Sequence, residues 1–149
     1  MKTYIGTKII NATPMNRADY NEYRNWNLPE NEDGSDEGYL VEYTDGGKPN
    51  DSRHAGYISW SPKAQFDAAY LAIGDVSGLP PHQQRVVAEK AELDDKRGKL
   101  FTFVNSKNFF SLCDEAERNR MADQANAMAR YSEALESRIA AFTQVGSTA

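Results

Sequence analysis

The chain has 149 residues, 40% hydrophobic and 26% charged, proportions of a folded domain that argue against wholesale disorder. A formal net charge of −5 argues against general binding to a nucleic-acid backbone or an anionic membrane surface. One cysteine, Cys113, excludes an intrachain disulfide and a cysteine-based zinc site, and the two histidines, His54 and His82, stand far apart. The charge is unevenly placed. Residues 1–73 carry 7 basic and 11 acidic side chains and residues 74–149 carry 10 and 11, so any positive site is a local pocket. The opening MKTYIGTKII lacks the unbroken apolar core of a signal peptide. No apolar run approaches the roughly 20 residues that span a bilayer. An intracellular protein without membrane contact is expected.

In chain order, Tyr4 to Ala12 mixes β-branched residues with alternation and predicts a strand that Pro14 stops. Asn16 has the character of an N-cap with Asp19 as its partner, opening a short helix through Tyr20, Tyr23 and Arg24 that ends by Leu28-Pro29. Residues 30–37 (ENEDGSDE) alternate carboxylates like a calcium loop, but the spacing fails: Leu40 stands where the closing glutamate belongs. A solvated loop is the reading. Gly38 to Thr44 sets Tyr39, Val41 and Tyr43 against Leu40 and Glu42, and Gly56 to Trp60 sets Tyr57 and Ser59 against Ile58 and Trp60. The Gly-, Pro- and Asn-rich stretch between them makes the pair an antiparallel hairpin. Ser61-Pro62 predicts a helix start, with Phe66, Ala69, Tyr70 and Ile73 as the stripe laid on the sheet.

Gly74 to Pro81 has two glycines, two prolines and no periodicity, and reads as a linker. Beyond it the composition changes. A first long helix runs from about His82 to Val104, with Val86, Leu93 and Leu100 at seven-residue spacing and Gly98 as a weak point. The break falls at Asn105–Asn108. Ser111 then caps a second helix with Asp114, and Met121, Ala125, Met128, Leu135, Ile139 and Phe142 form one stripe interrupted only by Ser132. The fold class is α+β: a small three-stranded antiparallel sheet with two short helices, followed by a C-terminal antiparallel helical hairpin. The domains are 1–73, a linker at 74–81, the hairpin at 82–143, and a disordered tail at 144–149. Two helices alone cannot enclose a core, so the hairpin either packs on the first domain or pairs with another copy, and self-pairing is the preferred reading.

No phosphate loop, nucleophile elbow or metal cluster is present in the sequence, so neither catalysis nor a cofactor is expected. A small polar ligand suits the residues better. Arg24 and Trp26 are neighbours after the first helix, while Tyr57, Ser59 and Trp60 lead into the helix start with Lys63. Aromatic rings stack on bases, and arginine offers a planar fork to phosphate. The same aromatics also serve as ordinary core. His82 and Arg85 open the hairpin with donors that suit an anion, or else form a plain exposed turn.

The phrases YIGTKIINATPMNRADYNEYR, DEGYLVEYTDGGKPN and GYISWSPKAQFDAAY together resemble a domain of small tailed-phage proteins, covering nearly all of residues 1–72. In some of those, a similar domain precedes a module resembling the Thoeris anti-defence sponges. PHQQRVVAEKAELDDKRGKL, with FFSL and MARYSEALESRI, is similar to a second family of short phage proteins of helical-hairpin type, over about residues 79–142. The resemblance implies a phage counter-immunity protein of the host bacterial cytoplasm. Such a protein would be a homo-oligomeric sponge that sequesters a cyclic-nucleotide or cyclic ADP-ribose type signal (the ligands of CBASS and Thoeris defence) without cleaving it. This chain lacks the sponge module of its longer relatives, so no binding residue carries over. The alternative is a phage adaptor that inhibits a host protein through the hairpin.

Overall fold

A computed structural model describes residues 1–145. It divides into two compact units, Met1–Tyr70 and a second from Leu71 onward.

The first unit is built on a three-stranded antiparallel sheet in the order β1-β2-β3, comprising β1 (Asn11–Pro14), β2 (Gly38–Tyr43) and β3 (Tyr57–Pro62). Strand β1 is far shorter than the alternation from Tyr4 predicts. The register explains why: Asn11 pairs with Glu42, so Ile10 falls opposite Tyr43 and every residue before Ile10 would need a partner beyond the end of the central strand. There the central strand turns away into a loop with Gly46 and Gly47 at φ of 137° and 94°. A strand without a neighbour has nowhere to place its hydrogen bonds, and Tyr4 and Ile5 are exposed.

Alternation along β2 sorts its two faces as the sequence predicts. Leu40 meets Ile58 and Tyr20 in the buried core, with Met15, Tyr23 and Trp60 packed around them. Tyr20 comes from helix α1 (Arg17–Tyr23), whose first turn is capped by the Asn16 side chain accepting from the Asp19 N–H at 2.8 Å. On the opposite face, Tyr39 stacks on Phe66 of helix α2 (Lys63–Ala69) with ring centroids 4.0 Å apart. Helix α2 ends at Ala69, so Ile73 does not join its stripe. Ser61 does not cap it either. That serine is a ladder residue opposite Tyr39, and the Lys63 N–H donates to the Glu37 carbonyl instead.

The acidic 30–37 loop is more than solvated chain. Its Gly34 and Asp36 carbonyls accept from the N–H groups of Ala18 and Arg17, closing the open end of α1.

The second unit is the expected helical hairpin. Helix α3 (Pro81–Val104) and helix α5 (Glu115–Val145) pack along each other, joined by a short helix α4 (Asn108–Leu112) that periodicity did not reveal. Ser111 lies inside α4, and its hydroxyl donates to the Asn108 carbonyl. Asp114 is the cap of α5: its carboxylate accepts from the Glu117 N–H at 2.8 Å, and its carbonyl from the Arg118 N–H. The α5 stripe turns inward as predicted, with Ser132 and Leu135 buried and Met121, Ala125, Met128, Ile139 and Phe142 half-buried. Helix α3 covers that stripe. The apolar side chains left exposed are elsewhere, among them Phe101, Phe110 and Leu112 near the hairpin turn. Helix α5 extends to Val145, and the rest of the tail expected at 144–149 lies outside the described residues. No helix among the described residues is long and apolar enough to cross a membrane.

Candidate functional site

The site is set up by the way α1 ends. Asn25 takes a left-handed conformation (φ 55°), the Trp26 N–H donates to the Asn21 carbonyl, and the Asn25 N–H donates to the Glu22 carbonyl. This pair of bonds around a left-handed residue is the Schellman closure, and it stops the helix well before Leu28-Pro29. It also folds Trp26 back over the helix. The Arg24 guanidinium lies 4.4 Å from the Trp26 ring centre, and Tyr20 meets the same ring edge-on at 6.2 Å.

At the start of the helix, Arg17 sits 4.3 Å over the ring of Trp60. The Trp60 indole N–H donates to the Met15 carbonyl at 2.8 Å, which locks the ring on the core side of β3. Arg17 and Arg24, seven residues apart, therefore share one face of α1, each against an indole. Between them and the free edge of β3 lies an open concavity of about 400 Å³, bordered by Trp26, Asn50 and the four consecutive residues Tyr57 to Trp60.

Both arginines are already engaged. Arg17 pairs with Glu32 at 2.8 Å and Asp36 at 3.3 Å. Arg24 donates to the Tyr20 hydroxyl at 3.2 Å and the Asn50 carbonyl at 3.3 Å, and its Nε lies 4.0 Å from Asp51. Asp51 is shared with Arg53, whose hydrogen bonds hold its carboxyl well below the usual carboxylate range. Arg53 also donates to the Tyr23 carbonyl and stacks on the Tyr23 ring at 3.6 Å. Next to it, His54 bridges the Tyr23 hydroxyl (2.8 Å) and Glu42 (3.1 Å). The Gly56 N–H and then His54 hold Glu42 below its ordinary value. These bonds pin the 50–56 turn to α1 and place Asn50 at the rim of the concavity.

Of the residues singled out in the sequence, Arg24, Trp26, Tyr57, Ser59 and Trp60 border this one concavity. Lys63 does not; it pairs with Asp67 at 2.6 Å on α2. His82 and Arg85 lie at the exposed start of α3 in the second unit, where the Pro80 carbonyl accepts from the N–H groups of Gln83 and Gln84. Sequence reading missed Arg17, Asn21 and Asn50. The Arg17/Arg24 spacing was a usable helical signal, whereas Asn50 sits in a loop and had none. A separate concavity of about 640 Å³ lies along the second unit, with Asp94, Asp95, Lys99 and Phe103 on its walls.

Residues 80–141, inside the second unit and short of half the chain, match the family described as Sequestin. No curated protein and no solved structure matches the chain.

Proposed function

We propose that this chain is a phage counter-defence protein that captures a nucleotide-derived immune signal and holds it without chemical change. The match of residues 80–141 to Sequestin, a name that denotes sequestration, is the observation that carries this reading. It is supported by the first unit, where exposed aromatic faces, amide groups and two arginines border one concavity of a size suited to a small planar ligand. The likeness of residues 1–72 to tailed-phage proteins supplies the biological setting, and a homo-oligomer assembled through the hairpin is part of the same proposal. Isothermal calorimetry against cyclic dinucleotides, cyclic trinucleotides and cyclic ADP-ribose isomers tests it, followed by heat release and mass analysis of the ligand. Tight binding with intact recovery is the expected result. A released product of altered mass would make the protein an enzyme, and no binding across the panel would sink the proposal.

The second reading, an adaptor that inhibits a host protein, is favoured by one observation: Phe101, Phe110 and Leu112 are about 70% exposed near the hairpin turn. A stoichiometric host partner lost on substituting Phe110 and Leu112 by serine, with no ligand bound by the parent protein, would favour it.

A further inference from the structure

The free edge of β3 carries a recognition element that the side chains do not announce. In an antiparallel ladder, alternate residues point their N–H and C=O toward the neighbouring strand and away from it. Ile58 points away: its N–H donates to the Asn50 side-chain oxygen and its C=O accepts from the Asn50 amide nitrogen, both at 2.8 Å. Two residues on, Trp60 must point its main-chain N–H and C=O the same way. None of the described side chains engages them. The next outward position is Pro62, which has no N–H. The edge is thus closed by Asn50 at one end and proline at the other, with a single donor–acceptor pair open between them. A whole added strand needs more than that; the edge of one small molecule does not.

Asn50 shows which chemistry fits. Its planar carboxamide, an acceptor beside a donor, satisfies the same pair of main-chain groups one position earlier along the edge. We propose that the Trp60 N–H and C=O recognise the equivalent edge of a planar heterocycle, the ring nitrogen and exocyclic amine of a 6-aminopurine or a ring-borne carboxamide. Trp26 and Tyr57, 54% and 47% exposed at the border of the same concavity, supply faces on which such a ring stacks. The arginines do not compete for this role, because Arg17 and Arg24 are taken up by Glu32, Asp36, Tyr20, Asn50 and Asp51. The ring is therefore read by the protein, and any phosphates extend into solvent. This deepens the sequestration reading and rests on it for the nucleotide character of the physiological ligand.

The test is an amide-resolved NMR titration of the full chain with adenosine, nicotinamide, N6,N6-dimethyladenosine and pyrophosphate as separate probes. Adenosine or nicotinamide should shift the Trp60 main-chain amide while leaving the Trp60 indole N–H, tied to Met15, in place; which of the two acts identifies the edge. Dimethylation removes the donor and should weaken binding at least about tenfold, as should W26A, by loss of a stacking face. An unmoved Trp60 amide, equal binding of the dimethylated ring, or saturation by pyrophosphate alone would overturn the assignment. If cyclic nucleotides are captured while the Trp60 amide stays still and W26A binds normally, this inference fails and sequestration stands. If adenosine moves the amide but no signal is captured, the reverse holds.

Discussion

The Ser132 hydroxyl donates to Asp94 at 2.6 Å across the hairpin, joining the one polar position in the α5 stripe to a carboxylate on α3. Ser132 is only 3% exposed, so this bond fixes how the two helices slide past each other. Truncating it, S132A, leaves Asp94 with one fewer donor in a half-buried setting. The expected loss is about 1–2 kcal/mol in chemical denaturation, larger than that of an exposed serine on α5 such as Ser137.

The same carboxylate sets a pH dependence. Lys90 first, then Ser132 and Arg97, lower the Asp94 pKa from its ordinary 3.8 to about 2. A carboxyl depressed by folding contributes stability that is fully present above its unfolded pKa and is lost as pH falls through its folded one. The melting temperature of the parent chain should therefore drop between about pH 4 and pH 2. Asp94→Asn should lower stability at neutral pH and flatten the curve in that window, read by circular dichroism melts of both proteins.

Gly98 lies inside α3, and a methyl group added there meets nothing within 4 Å. Alanine at this position loses less backbone freedom on folding, so Gly98→Ala should stabilise the chain by about 0.5–1 kcal/mol. A denaturation midpoint unchanged or lowered by the substitution would contradict the open environment.

Gly38 is the opposite case. A methyl group there would run into the Trp60 ring and the Ser61 carbonyl, where the chain cannot yield. Gly38→Ala should cost roughly 1–3 kcal/mol by overpacking and displace the wall of the concavity. Trp fluorescence, to which Trp60 and Trp26 both contribute, should change along with stability in Gly38→Ala, and the same change in a Trp26→Phe background assigns it to Trp60.

Asn25 ties local conformation to the candidate site. Its left-handed φ of 55° suits asparagine or glycine and strains other side chains. Asn25→Gly should leave stability within a few tenths of a kcal/mol, while Asn25→Ala should lose about 1 kcal/mol and loosen Trp26. If both variants melt alike, the turn is not under the constraint described.

Much of this architecture was legible in residue order because it depends on local period. The alternation over Tyr39 to Tyr43 and Tyr57 to Trp60, the Asn16 cap and the inward stripe of α5 each place side chains on a face, and a face is what periodicity encodes. The neighbours Arg24/Trp26 and Tyr57/Ser59/Trp60 led to one concavity for the same reason. Other features depended on groups far apart in the chain. The segment from Tyr4 has strand character, yet the residues before Ile10 have no partner, because the central strand ends at Tyr43. Asp114 caps α5 in place of Ser111, because Asn108 to Leu112 closes a turn of its own. The arginine forks are filled by Glu32, Asp36 and Asp51, brought in from two separate loops. Which main-chain groups remain free once the strands pair was decided by tertiary structure alone: Asn50 closes one position on the β3 edge, Pro62 closes another, and Trp60 is left open. Side-chain pattern dictates the faces of a strand, but its edge is defined by whatever fails to bond to it.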